Sequence, residues 1–298
     1  MEIEQIKAFL TVVEQGNITK AADRLYTTQS SISKKIHALE TEFNIQLFFR
    51  GRGQRNVELT PSGEQFLVLC RKWQNLKKEA DSLSQKNSQL HLSIGAIELI
   101  NSFTFTDLYN DLLKKHPELY MNIHTHHSSE IYHLVADHYV DLGYVYNRQT
   151  HKELIVRPLF EEEMLLVCNE KSNLTQVVDP SQLDPKEEIY LKWSSNYEFW
   201  HDQIWPNHQF RLHVGSSQMI GNFLNQENKW AIVPASVIEE MKKRCNFSVH
   251  TLSISMPVRT CYEIESRFPR MSRTEGVEAF KKDLRTFIKE SKEIKLLP

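Results

Sequence analysis

The 298-residue sequence predicts a multidomain chain: an all-α winged helix-turn-helix N-terminal domain, a long linker helix, and a larger α/β domain. Three observations predict it. The length suits about two domains with room for a third small one. Charge is uneven: residues 1–88 hold thirteen Lys and Arg against ten Asp and Glu, whereas the remainder carries a net −5. The apolar pattern also changes, from helical spacing before residue 89 to alternating strand and helix after it.

The composition excludes several classes. Charged residues make up 25% and the hydrophobic set 40%, as in ordinary globular chains. No run of 18 apolar residues exists, so no membrane partner is expected. Acids stand near the start, where a secretion signal needs cations, so the chain is expected to work in the cytoplasm. Cys70, Cys168, Cys245 and Cys261 are far apart and read as buried thiols, not as a disulfide framework or zinc knuckle.

The first helix follows from Ile3, Ile6, Phe9, Leu10 and Val13, and Gly16-Asn17 ends it. A short helix runs from Thr19 to Leu25, with Ala21 and Ala22 small enough to let another helix approach. After Tyr26-Thr27, Thr28 can cap a third helix from Gln29 to about Phe43. On that helix Ile32, Ile36, Leu39 and Phe43 share one face, and Ser30, Ser31, Lys34, His37 and Ala38 lie opposite. Two helices, a tight turn and a small polar outer face make a helix-turn-helix, spanning about Ile18 to His37, suited to a major groove. Leu47-Phe48-Phe49 and Val57-Glu58-Leu59 read as a hairpin around a basic tip. There Arg50, Arg52 and Arg55 can reach phosphates or a narrow minor groove.

The run from Ala21-Ala22 to Phe66 resembles the winged helix-turn-helix of the LysR-type transcriptional regulators. The resemblance rests on the Ala pair, Gln29 heading the third helix, the run Ser33-x-x-Ile36-x-x-Leu39-Glu40, Leu47-Phe48-x-Arg50 and Leu59-Thr60-x-x-Gly63. Two departures are Ser30, where the family usually has proline, and Thr28 for the usual serine, which keeps the capping oxygen. The resemblance implies sequence-specific binding to double-stranded promoter DNA. The expected DNA-binding residues are Thr28, Gln29, Ser30, Ser31, Ser33, Lys34, His37, Arg50, Arg52 and Arg55. Gln29 falls on the packed side by wheel angle, and it is the resemblance that favours it.

Thr60 caps and Pro61 starts a helix predicted to reach about Lys86. Phe66, Leu69, Trp73, Leu76, Ala80 and Leu83 alternate spacings of three and four along it, a heptad seam. A helix of about 26 residues spans roughly 39 Å, more than the small module can cover. The seam is therefore expected to pair two chains, and the resemblance implies a homodimer or homotetramer, with RNA polymerase as a further partner.

Beyond residue 88 strands are expected at Leu90–Ile94, Tyr120–Thr125, Leu142–Tyr146, Met164–Cys168, Glu188–Leu191, Phe210–Val214 and Ala231–Val233. Helices are expected between them and at Thr274–Glu290. The resemblance implies a two-lobed α/β effector domain like a type 2 periplasmic binding protein. Its lobe 1 would be about 90–160 and 267–298, and its lobe 2 about 161–266. The expected domains are thus 1–60, 61–88 and 89–298.

Ligands in such folds sit at strand carboxyl ends near helix starts. That rule selects Ile97, Glu98, Asn101, Ser102, Ser128, Ser129, Trp193, Ser194, Ser216 and Gln218 as an effector pocket. A small polar or anionic molecule would suit it, although Glu98 demands a compensating cation if the effector is an anion. The histidines at 124, 126, 127, 133 and 138 read as a polar strand edge, so no metal and no cofactor are expected. No P-loop, zincin, nucleophile-elbow or dinucleotide motif is present, so the chain is not expected to be an enzyme. A secreted solute-binding protein would leave the basic module unexplained.

Overall fold

A computed structural model describes residues 2–49, 57–83, 89–206 and 209–298. The chain divides into two compact units, Met1–Lys86 and Asn87–Pro298. Among the described residues, no helix is long and apolar enough to cross a membrane.

The first unit contains α1 (Ile3–Gln15), α2 (Ile18–Arg24), α3 (Gln29–Phe43) and α4 (Pro61–Leu83). Gly16 ends α1 in the left-handed region at φ 62°, and the Asn17 side chain caps α2. Ile6, Phe9, Val12, Ala21, Ile32 and Leu39 form the core of this unit. The Ala pair is buried where α2 meets its neighbours, as its size requires. Among the described residues the hairpin shows the antiparallel bridge Phe48 to Leu59, with the Phe49 N–H donating to the Glu58 carbonyl at 2.9 Å. Arg50, Arg52 and Arg55 lie outside the described residues.

The second unit begins with β1 (Leu90–Ala96), α5 (Thr106–Lys115), β2 (Leu119–Thr125), α6 (Ser128–Ala136), β3 (Leu142–Val145) and β4 (Leu154–Glu162). The chain then crosses to a second lobe with β5 (Met164–Asn169), β6 (Val177–Val178), β7 (Ile189–Tyr190), α7 (Ser195–Ile204) and β8 (Leu212–His213). That lobe continues through α8 (Ser217–Leu224), β9 (Trp230–Pro234), α9 (Ile238–Lys242) and β10 (Phe247–Leu252). The chain returns for β11 (Arg259–Ser266), α10 (Thr274–Glu290) and β12 (Ile294–Leu296).

Lobe 1 is a six-stranded sheet in the order β12-β4-β11-β3-β1-β2, parallel from β3 to β2 and antiparallel across the rest. Lobe 2 holds β6-β10-β5-β9 and the parallel pair β7-β8, which a Glu188–Trp230 bridge joins to β9. The outward crossing falls at Glu163, near the expected place. The return crossing lies in residues 253–258, not near 265–267, because β11 pairs with β3 and β4 inside the lobe 1 sheet. The pattern hid β11 because its core-facing Glu263 is polar. That carboxylate accepts from the Tyr144 hydroxyl at 2.9 Å and pairs with Lys281 at 3.2 Å.

Candidate nucleic-acid interface and ligand cleft

Helix α3 holds one face against its own unit and leaves the other outside. Ile32, Ile36 and Leu39 are buried. Thr28, Gln29, Ser30, Ser33, Lys34 and His37 are exposed, and Ser31 is half-buried. The Thr28 hydroxyl accepts from the Ser31 N–H at 3.2 Å, the cap its position requires, and lies 3.0 Å from the Ser30 hydroxyl. Gln29 is exposed despite its wheel angle, at the head of the helix, where its side-chain oxygen accepts from the Thr19 hydroxyl of α2 at 3.5 Å. Lys34 makes no ion pair among the described residues, whereas Lys35 leans toward Glu4 of α1 at 3.9 Å. Tyr26 escaped sequence reasoning. It occupies the turn between α2 and α3 with φ 51° and is 99% exposed. Its marks, a positive φ and a ring in solvent, are visible only in the structure.

Helix α4 carries two stripes where the sequence suggested one seam. Gly63, Phe66 and Cys70 are buried, and Leu67 and Trp73 are half-buried, all turned toward the unit's own core. Leu69, Leu76 and Ala80 are exposed. Phe66 is therefore a core residue rather than a pairing residue, held by its ring contacts with Phe9 and Phe43. The Leu83 side chain is outside the described residues.

In the second unit two adjoining cavities open between the lobes. One, of about 580 Å³, is bordered by Ser128, Tyr146, Lys192, Trp193, Ser194 and Arg259, among others. The other, of about 480 Å³, is bordered by Glu98, His127, Glu130, Ser216 and Ser217, and shares Ile97, Ser128, Lys192, Trp193 and Arg259 with the first. The structure thus gathers Ile97, Glu98, Ser128, Trp193, Ser194 and Ser216 around one cleft. Gln218 reaches it indirectly, its amide donating across the lobes to Glu98 at 3.4 Å.

Three expected residues fall elsewhere. Asn101 is buried and wholly engaged: its amide donates to the His124 carbonyl at 3.1 Å and the Thr125 hydroxyl at 2.9 Å, and its oxygen accepts from Tyr109 at 2.7 Å. It locks the ends of β1 and β2 to α5, and it borders neither cavity. Ser102 and Ser129 are exposed and border neither cavity.

Arg259, missed in the sequence, is the cation that Glu98 called for. It is 8% exposed, at the start of β11. Its Nη1 donates to Glu162 at 3.1 Å, and its guanidinium lies 3.8 Å from the centre of the Tyr146 ring and 5.1 Å from that of Trp193. Burial, and then the negative charge of Glu162, push the Tyr146 phenol well above its usual range, so it stays neutral. No spacing pattern announced Arg259, because its partners lie 66 to 113 residues away in the chain.

Residues 3–64 match the family described as "Bacterial regulatory helix-turn-helix protein, lysR family", and residues 85–273 match "LysR substrate binding domain". The chain belongs to the LysR family. It is a LysR-type DNA-binding transcriptional regulator with a substrate-binding domain for an effector. Among curated LysR-type relatives, it is 27% identical over 267 residues to a "Probable nitrogen assimilation transcriptional activator" from Synechocystis sp., covering 85% of this chain and 84% of that protein. It is 23% identical over 259 residues to the "HTH-type transcriptional regulator YofA" of Bacillus velezensis, covering 85% and 87%. The fold matches that of a full-length OxyR variant from Pseudomonas aeruginosa (TM-score 0.72, 18% identity, 96% of this chain and 95% of that one). It also matches "full-length CbnR complexed with the target DNA complex" (TM-score 0.69, 18% identity, 95% and 100%).

Proposed function

We propose that this LysR-type regulator reads its operator with the exposed face of α3 and senses its effector in the cleft between the lobes of the second unit. The observation that carries the reading is the partition of α3: Ile32, Ile36 and Leu39 turn inward, while Gln29, Ser30, Ser33, His37 and Lys34 turn outward, the lysine with no ion pair among the described residues. Short side chains there allow the helix to enter a major groove. Lys34 contributes a phosphate or base contact, and Tyr26 and the arginines at 50, 52 and 55 add contacts at the flanks. Sorted in this way, the module matches the electrostatic footprint of a duplex reader although the whole chain is acidic.

Self-association places two α3 helices on successive half-sites. The exposed stripe Leu69, Leu76 and Ala80 supports pairing through α4, giving a homodimer or a homotetramer. Such a protein works in the cytoplasm, by binding and not by catalysis, and RNA polymerase is the partner that its transcriptional output requires. Effector binding shifts the populations of lobe and subunit arrangements and so the DNA contacts.

A gel-shift titration against the promoter region flanking its own coding sequence, at two salt concentrations, tests the reading. Specific binding that weakens steeply with salt supports it. Equal affinity for scrambled DNA at both salts overturns it.

A further inference from the structure

We infer that the effector is anionic at one end and apolar along its body, a small monocarboxylate, and that its carboxylate seats on Arg259. The inference rests on the cleft being the effector site and adds the chemical class of its ligand.

The larger cavity has two cations and no carboxylate on its wall. Arg259, buried, and Lys192, whose side chain is about half exposed, both border it. The negative charges that balance them lie behind: Glu162 is fully buried beneath Arg259, and Glu198 is 2.6 Å from Lys192. Neither Nε nor Nη2 of Arg259 has a protein partner among the described residues. The guanidinium is nine-tenths buried and braced through Nη1 by Glu162, and Nε is itself buried, so Nη2 is the donor left for an anion's carboxylate oxygen.

Two helix starts face the same space. Ser128 opens α6 and Ser195 opens α7, one from each lobe, and the Ser194 side chain already occupies the Tyr197 N–H at 3.0 Å. The N–H groups of Ser195 and Asn196 are left for a ligand. Tyr146, Trp193, Ile97 and Val258 give the rest of the wall an apolar surface. The second cavity carries Glu98 and Glu130, which repel a second anionic group at that end. The molecule that fits is therefore charged at one end only.

The position also ties occupancy to the hinge. Arg259 and Glu162 are register partners on β11 and β4, the strands on either side of the two crossings between lobes. Tyr146 follows β3 in lobe 1 and Trp193 follows β7 in lobe 2. An anion on Arg259 touches both lobes where they articulate, which couples binding to their closure.

The test is a titration of the full-length, DNA-free protein with hexanoate, 3-phenylpropionate and indole-3-acetate, each beside its own carboxamide, read by calorimetry. At least one acid should bind about tenfold or more tightly than its amide. That preference should disappear in Arg259→Gln combined with Glu162→Gln, a pair that leaves no buried charge uncompensated, and should fall in Lys192→Gln. Amides binding as tightly as acids, acid binding unchanged in the double variant, or no saturable binding of any acid up to ~10 mM overturns the inference. A neutral or cationic ligand whose affinity falls in Ser128→Ala and Trp193→Phe would also overturn the charge assignment, yet would leave the cleft as the effector site. Acid binding that is indifferent to those two substitutions would remove the cleft reading itself.

Discussion

Gly63, in the first turn of α4, stands over the backbone carbonyl of Leu47, so close that a Cβ built on the glycine would fall 2.1 Å from that oxygen. Thr60 fastens the same junction. Its N–H donates to the Leu47 carbonyl at 3.0 Å, its hydroxyl donates to the Gln46 carbonyl, and it accepts from the Gly63 N–H at 3.0 Å. The Leu-Thr-x-x-Gly sequence is thus the joint that presses the linker helix onto the base of the wing. Gly63→Ala should destabilise the first unit by roughly 1–3 kcal/mol, since backbone must move to admit the methyl group. Urea unfolding of the full chain, followed by operator binding and by circular dichroism, measures it. An unchanged midpoint would mean that the junction yields freely.

That joint shows what could be read in advance. Local rules were legible wherever a backbone group meets a side chain a few residues away: the Thr28 cap, the Gly16 stop and the inward face of α3, whereas Asn17 was read only as the end of α1 and also caps α2. The order of strands and helices up to β3 was legible for the same reason. The site in the second unit was half legible. Helix starts such as Ser128, Ser194 and Ser216 follow from strand-end geometry, but Asn101 obeys the same rule and is spent on the scaffold. Arg259 could not be found, because its meaning depends on Glu162, Tyr146 and Trp193, which only the sheet topology brings together. The strands β4 and β11 were missed because Pro158, Glu263 and Glu265 break the apolar alternation. Pairing with Lys281 makes those acids tolerable, and no one-dimensional pattern displays it.

Lys34→Ala should weaken operator binding at every salt concentration and reduce the slope of log K against log salt by about 1, the signature of one lost phosphate contact. Effector affinity and oligomeric state should not change, because the side chain is exposed and makes no ion pair within its unit among the described residues. Operator titrations at several salt concentrations decide it. An unaltered slope would move Lys34 off the backbone, and an unaltered affinity would remove it from the interface.

Burial on α4 separates the stripe that holds the fold from the exposed stripe proposed to pair. Leu76 is 61% exposed and Leu69 60%, so a charge at either site should dissociate the assembly while the module stays folded. Trp73 is half-buried against the unit's core, so Trp73→Glu should both unfold and dissociate. Sedimentation velocity beside circular dichroism distinguishes the cases. Leu76→Glu and Leu69→Glu proteins that sediment like the parent would transfer pairing to another surface.

All four cysteines are buried, and burial pushes the thiols of Cys70 and Cys168 up to about 12. Cys245 is raised for the same reason. Cys261 is raised well above its usual value by burial first, and then by Glu162 and Glu263. The reactive species is the thiolate, so at neutral pH the folded protein should be almost inert toward an aromatic disulfide reagent. Unfolding in guanidinium should release four equivalents. Rapid reaction of one thiol in the native state would show that its site opens, and the same assay on single Cys→Ser variants would name it.

Asp283 of α10 sets an acid limit on the second unit. Burial alone would raise its carboxyl, but Lys115 and His116 at the end of α5 together outweigh that and hold it below the usual carboxylate range. His116 Nε2 lies 3.0 Å from one carboxylate oxygen, and Lys115 contacts the other. A carboxyl depressed in the folded state contributes stability above its unfolded value of about 3.9, and loses it as pH falls through the lower folded value. Asp283→Asn should therefore melt lower than the parent at about pH 6, by an amount of order 1 kcal/mol given the exposed Lys115 partner. The gap should narrow below about pH 4, where the parent's carboxylate takes up its proton. Thermal melts of both proteins from about pH 6 to about pH 3 carry the comparison, and a gap that stays constant across that range would show that the pair contributes by packing and not by charge.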